Sequence, residues 1–291
     1  MVSWYLSPYS DLLENPPVPA LRWKLAAMDI DDTLVGPDRI ISAANRRAIA
    51  DLRERGVLIV LASGRSHANM LPFHAELRLD TPLISANGAL VREAPRGPVW
   101  AQHGMPAPLV TELIEEGRRR GLSVLLYALD GVYVDRRTSF TEYDQSRNDD
   151  AQIRVPDLCA VPADGVHKVL WMAEPEAIAS LTPEQSKRYQ SRLTVTHTDP
   201  PYLEFMPPDV TKATGLADVA RHYGIDARDV VAFGDGNNDV GMLQWAGLGI
   251  AMNHAKPALK AAADFTVPKT PVSASLAKGI EWVIEGATVQ S

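Results

Sequence analysis

The chain has 291 residues, 46% of them hydrophobic and 22% charged, with 29 lysines and arginines against 36 aspartates and glutamates. That length predicts one large or two moderate domains with a substantial core, and the formal net charge of −7 argues against a nucleic-acid or membrane-surface partner, whose usual signature is a basic face. The single cysteine, Cys159, excludes an intrachain disulfide, fits a reducing compartment and reads as a small buried apolar residue.

Met1 to Tyr9 carry no positive charge and no long apolar stretch, so a soluble, cytoplasmic protein is expected, with neither secretory signal nor membrane anchor. Residues 1–21, which include Asn15-Pro16-Pro17-Val18-Pro19, read as an extension leading into the first strand. Next, the apolar run after Lys24 ends in three carboxylates within four residues, Asp29, Asp31 and Asp32. Such a run suits a central strand of a parallel sheet, where ligands gather at the carboxyl ends of strands. If the strand persists, Asp29 and Asp31 project to one side. Their repulsion then calls for a shared proton or a cation, most simply magnesium. The alternative is an ordinary solvated turn. A calcium loop counted from Asp29 is excluded, because Leu34 stands where glycine is needed and Ile40 where glutamate is needed.

A helix is predicted from the N-cap Ser42 to the stop at Gly56, then a buried strand over Val57 to Ala62. Ser63-Gly64-Arg65-Ser66 follows, then a helix and a third strand, Thr81 to Ala86, ending at Asn87-Gly88, where Asn87 reads as a turn residue. This βαβαβ order implies a parallel sheet. Beyond Gly88 the pattern becomes α+β with hairpins. It comprises a helix at Pro108 to Arg120, strands at Leu122 to Leu126 and Val132 to Asp135, and an irregular polar stretch to Asp150. Strands follow at Val166 to Met172, Leu193 to Thr196 and Tyr202 to Phe205. From Asp209 the first pattern returns. A helix over Thr211 to Tyr223 closes at Gly224, and a strand over Val230 to Phe233 runs into Gly234-Asp235-Gly236-Asn237-Asn238-Asp239. A helix at Val240 to Trp245, a strand at Leu248 to Met252 and two more αβ pieces complete the chain. The expected fold class is α/β, a Rossmann-like parallel-sheet core built from residues 22–88 and 201–291, with an α/β domain of residues 89–200 inserted.

Four clusters then fall at strand ends of the core: Asp29 with Asp31, Ser63, Lys212, and Asp235 with Asn238 and Asp239. Acids from two strands, a hydroxyl from a third and a lysine from elsewhere suit a metal plus a phosphoryl group. Gly234-Asp235-Gly236 lacks the third glycine of a dinucleotide fingerprint, no phosphate loop of the Gly-Lys-Ser/Thr type exists, and the seven histidines show no helical metal spacing, so zinc is not expected.

In these clusters the sequence resembles the haloacid dehalogenase (HAD) superfamily, and within it the Cof-like phosphatases with the larger, type IIB cap. Asp29-Ile30-Asp31-Asp32-Thr33-Leu34 is similar to the first motif, Ser63-Gly64-Arg65 to the second, Val210-Thr211-Lys212-Ala213-Thr214-Gly215-Leu216 to the third, and Gly234-Asp235-Gly236-Asn237-Asn238-Asp239-Val240-Gly241-Met242-Leu243 to the fourth. Ala86-Asn87-Gly88-Ala89 resembles the point where the family's chain leaves for the cap. The resemblance implies a phosphatase of small phosphorylated metabolites such as sugar phosphates. Asp29 would be its nucleophile and Asp31 its general acid and base. Magnesium would be held by Asp29, the Asp31 carbonyl and Asp235, with Asp239 as an additional or outer acid. Ser63, Gly64 and Asn238 would grip the phosphoryl oxygens and Lys212 would neutralise them. Asp32 stands where the family has glycine, and Asn253-His254 and Ser273-Ala274-Ser275-Leu276 also depart from the family pattern. The rival readings are a phosphosugar mutase of the same superfamily and a silent metabolite sensor. The motifs say nothing of oligomeric state.

Overall fold

The computed structural model describes residues 21–148, 152–197 and 200–288, so the expected N-terminal extension lies outside the described residues except for Leu21. In chain order the elements are β1 (Leu25–Met28), α1 (Ala43–Glu54), β2 (Leu58–Leu61), α2 (His67–Glu76), β3 (Leu83–Ser85), β4 (Leu90–Arg92), β5 (Val99–Gln102) and α3 (Ala107–Arg119). Then come β6 (Ser123–Ala128), β7 (Gly131–Val134), α4 (Ser139–Asn148), β8 (Gln152–Arg154), β9 (Val166–Met172), α5 (Pro175–Tyr189), β10 (Thr194–Thr196) and β11 (Tyr202–Met206). The chain closes with α6 (Lys212–Tyr223), β12 (Val230–Gly234), α7 (Val240–Trp245), β13 (Leu248–Ala251), α8 (Pro257–Ala262), β14 (Phe265–Thr266) and α9 (Val272–Thr288).

Ser42 caps α1 by accepting the Asn45 amide at 3.1 Å, and Gly224 closes α6 in the left-handed region. The core sheet runs β14-β13-β12-β1-β2, all parallel, with β1 in the middle, paired to β12 on one side and β2 on the other. All four β1 residues are fully buried, as an unbroken apolar run covered on both faces requires. The chain passes from β1 outward to β2, and from β12 outward the other way to β13 and β14. Strand order therefore reverses between β1 and β12, which is where such sheets open a crevice at their carboxyl ends.

The expected third parallel strand differs. β3 touches the core sheet only through a parallel bridge, Ala62 to Ile84, and instead begins an antiparallel sheet with β4 and β5. A second domain, the cap, is built on the six-stranded sheet β10-β11-β9-β6-β7-β8. One face of that sheet packs on a cluster formed with α3 and α5 that includes Leu113, Trp171, Ile178 and Phe205. The polar stretch read as irregular contains the helix α4, whose Asp144 is fully buried; weak apolar periodicity hid it. Cys159 is exposed rather than buried, because it sits on a one-turn segment capped by Asp157.

The turn after β3 and the start of α6 lie against each other. At Gly88 the backbone has φ +97°, and a Cβ there would come within 2.0 Å of the Thr211 carbonyl oxygen; at Gly215 a Cβ would sit 2.5 Å from Ile84 Cγ2. Only side-chain-free residues let the start of α6 approach the end of β3. Gly88→Ala is therefore expected to lower the unfolding free energy by about 2–4 kcal/mol in a urea titration, through a forbidden φ and a backbone clash together. A loss below about 0.5 kcal/mol would show that this approach is not tightly constrained.

Candidate active site

β1 ends at Met28. The Asp29 amide still donates to the Phe233 carbonyl at 3.1 Å, but the chain then coils: the Leu34 and Val35 amides both donate to the Ile30 carbonyl at 3.0 Å, and Asp32 takes φ +57°. The strand does not persist to Asp31, so the two acids diverge rather than share a side. Asp29 is buried. The Asp31 side chain is 54% exposed and accepts two hydrogen bonds from Arg65, from Nε at 2.8 Å and from Nη2 at 2.6 Å.

Lys212 is the first residue of α6 and is fully buried. A cation at a helix N-terminus opposes the helix dipole, and two acids offset it here. Lys212 Nζ donates to Asp29 Oδ1 at 2.5 Å and to Asp239 Oδ1 at 2.6 Å. The other Asp239 oxygen accepts the backbone amides of Asp235 (3.0 Å) and Gly236 (2.9 Å), which locks the loop after β12. Thr33 Oγ1 donates to Asp235 Oδ1 at 2.8 Å and ties that loop to the coil after β1. One carboxylate oxygen from each of Asp29, Asp235 and Asp239 lies within 4.8 Å of the others.

These residues fit a divalent cation. Three acids face one ammonium in a largely buried space, and their donors are hard oxygens. Both Asp239 oxygens are engaged by Lys212 and by amides, so Asp29 and Asp235 are the acids placed to reach an ion directly. The Asp31 carboxylate stands outside this set, because Arg65 draws it away.

Burial and the Asp239 charge push the Asp29 carboxyl well above the usual carboxylate range, against the pull of Lys212. Burial and neighbouring acids raise Asp235 to about 6, against its hydrogen bond from Thr33. Burial would raise Asp31 too, but the hydrogen bonds and charge of Arg65 hold it below the usual range. Burial disfavours the Lys212 ammonium, yet Asp239 and Asp29 more than compensate and keep it charged.

Beside this charge cluster lies a neutral rim. Ser63 is buried, and its hydroxyl accepts the Arg65 amide at 3.2 Å; Ser66, not Ser63, caps α2. The Asn87 amide donates to the Ser63 carbonyl at 2.9 Å, and Asn87 Oδ1 accepts from Asn238 Nδ2 at 2.9 Å. A Cβ built on Gly64 would lie 3.1 Å from that same Asn87 oxygen, so Ser63, Gly64, Asn87 and Asn238 share one patch. Asn87 is a turn residue, with φ +54°, that also contributes its side chain to the rim. Sequence reasoning gave no part to Arg65, Thr33 or His254. Arg65 and Thr33 were visible inside motifs; His254, whose Nε2 lies 2.6 Å from the Asp32 carbonyl oxygen, was visible only as a departure.

A family model described as haloacid dehalogenase-like hydrolase matches residues 26–280. The chain belongs to that family. Among curated relatives, 5-amino-6-(5-phospho-D-ribitylamino)uracil phosphatase YitU of Bacillus subtilis is 27% identical over 247 residues, covering 83% of this chain and 91% of its own. HMP-PP phosphatase of Cronobacter sakazakii is 29% identical over 249 residues, covering 86% and 89%. The crystal structure of a haloacid dehalogenase-like hydrolase from Bacteroides thetaiotaomicron superposes with a TM-score of 0.81 at 28% identity, covering 90% of this chain and 99% of that one. This HAD-family member is a phosphatase. No helix among its described residues is long and apolar enough to cross a membrane.

The Asp235 shift has a defined sign. In the metal-free protein the folded-state value of about 6 lies above the unfolded 3.8, so the folded form holds the proton more tightly. That stabilisation is complete below the unfolded value and is lost as pH rises through about 6. Asp235→Asn should therefore be more stable than the parent at about pH 8 in chelator, with the advantage shrinking as pH falls toward about 4. Thermal unfolding at a series of pH values measures it, and a constant difference between the two proteins would contradict the shift.

Proposed function

We propose that this protein is a magnesium-dependent phosphatase of small, polar phosphorylated metabolites such as sugar phosphates, working through an aspartyl-phosphate on Asp29. The observation that carries the reading is the Lys212 ammonium, fully buried and shared between Asp29 and Asp239 at the crevice between β1 and β12. The names of the curated relatives, which pair phosphatase activity with small phosphorylated compounds, support the substrate class.

Asp29 has one oxygen tied to Lys212, which fixes the carboxylate so that the other can meet phosphorus in line. Lys212 then neutralises charge on the transferred group, and Ser63, the Gly64 amide and Asn238 hold its oxygens. Asp31 protonates the leaving oxygen and later takes a proton from the attacking water. To do so it must leave Arg65, whose pairing keeps it ionised and turned outward. Asp29, the Asp31 carbonyl and Asp235, with Asp239 behind them, would hold magnesium, which would supply screening between an anionic nucleophile and an anionic ester.

The sheet pairings support a revised division of the chain. β4 and β5 extend the sheet begun by β3, and β11 pairs with β9, so we place the cap between about residues 103 and 206 in place of 89–200.

Asp29→Asn should abolish turnover while leaving the unfolding midpoint near that of the parent, since the amide is similar in shape but not nucleophilic. Retention of more than about one per cent of the rate in the purified variant would reject Asp29 as nucleophile. Activity should also vanish in chelator and return with magnesium. The magnesium concentration for half-maximal rate should rise as pH falls below about 6, because Asp235 binds the ion only when ionised. Full activity in excess chelator would contradict the metal requirement.

A further inference from the structure

The cap sheet has two unlike faces. Opposite the apolar cluster on one side, the other face carries a smaller one around Leu125, Leu170 and Met172, and with it Tyr127 of β6, Lys168 of β9, and Tyr202 and Glu204 of β11, with Asp144 of α4 reaching onto it. Lys168 and Glu204 are both buried, at 3% and 6% exposure, and Lys168 Nζ donates to Glu204 Oε1 at 3.0 Å while lying 3.9 Å above the Tyr127 ring centroid. The second carboxylate oxygen, Glu204 Oε2, is buried with no hydrogen-bond partner among the described residues. A buried charged oxygen left without a donor is costly, and a structural ion pair gains nothing from it.

Register shows where this pair points. Tyr127 pairs with Lys168, and Glu204 with Leu170; continuing that ladder sets Met206 beside Lys168. Met206 shares the face of Glu204, two residues earlier. Its Sδ accepts from Asn87 Nδ2 at 3.8 Å, and Asn87 Oδ1 accepts from Asn238 on the phosphoryl-side rim. The row Tyr127, Lys168, Met206 is thus the edge of the cap face that meets the active site. His167 alternates to the opposite side of β9, so Lys168 and His167, neighbours in sequence, do not act together.

We propose that Lys168 and Glu204 form the leaving-group subsite of this phosphatase, one that takes a leaving alcohol carrying further hydroxyl or amino groups. Glu204 Oε2 accepts from one such group, and the ammonium protons of Lys168 not used by Glu204 donate to a neighbouring oxygen. A leaving group without a donor would bury the Glu204 oxygen unmet, so the pair discriminates by penalty as well as by attraction. This inference rests on the phosphatase reading given above.

The test compares kcat/KM for ribitol phosphate and glucose phosphate with that for nitrophenyl phosphate, using the full chain with magnesium. The parent should prefer at least one hydroxylated ester over the aryl ester, and Glu204→Gln should reduce that preference at least ~10-fold. Because a lone change beside Lys168 can unfold the cap, the double variant Lys168→Met, Glu204→Leu is made as well. It replaces the buried pair by apolar groups of similar volume and removes its desolvation cost. Circular dichroism and thermal unfolding establish that it is folded, and it should lose the preference by the same factor. A folded double variant whose preference falls by less than that factor overturns the subsite. So does a parent that cleaves nitrophenyl phosphate with no preference for the hydroxylated esters, and in both cases the phosphatase reading stands. A parent that cleaves none of the three esters overturns both.

Discussion

The rest of the site depends on one buried ammonium between two carboxylates. Lys212 and Asp29 are 183 residues apart in sequence, yet their charged atoms meet at 2.5 Å with both side chains almost wholly out of water. Removing Lys212 would leave the buried carboxylates of Asp29 and Asp239 without their cation, a cost of about 3–5 kcal/mol. The group therefore holds both halves of the core together around Asp29. The arrangement also keeps an excess of negative charge, since Asp235 joins the same space. Such an excess of hard oxygen donors suits a divalent cation.

Topology explains how distant residues converge. β1 sits between β2 and β12 and delivers Asp29 to the point where strand order reverses, while β12 delivers Asp235 beside it. Lys212 reaches them only because α6 starts against the turn at Gly88, where neither chain has room for a side chain. From that turn the chain runs through β4 and β5 before it reaches the six-stranded sheet, and it returns from β11 shortly before α6. Asn87, in the turn after β3, and Met206, at the end of β11, touch directly.

Much of this was legible in the sequence because strand-end acids and helix caps are local signals. The apolar run before Asp29, the N-cap at Ser42, the stop at Gly224 and the acid-rich loop after Phe233 each announce an element and its end. What escaped depended on tertiary context. Nothing local says that Asp31 turns away from Asp29, because that depends on a coil stabilised by carbonyl acceptance at Ile30 and on a distant guanidinium at Arg65. Likewise α4 lacks an apolar stripe, since its buried face carries Asp144 against two tyrosines. The proposed shift of the domain limits from 89 and 201 rests on ladders between distant strands, through β5 and β11, which no local pattern reveals.

Covalent capture of phosphate on Asp29 tests the central claim most directly. A rapid acid quench during turnover, followed by digestion and tandem mass spectrometry, would locate any phosphoryl group on the peptide that contains Asp29. The expected result is a phosphorylated Asp29 that accumulates further when Asp31→Asn slows the hydrolysis of the intermediate. Steady turnover with no phosphoryl group on Asp29, in the parent and in that variant alike, would contradict it.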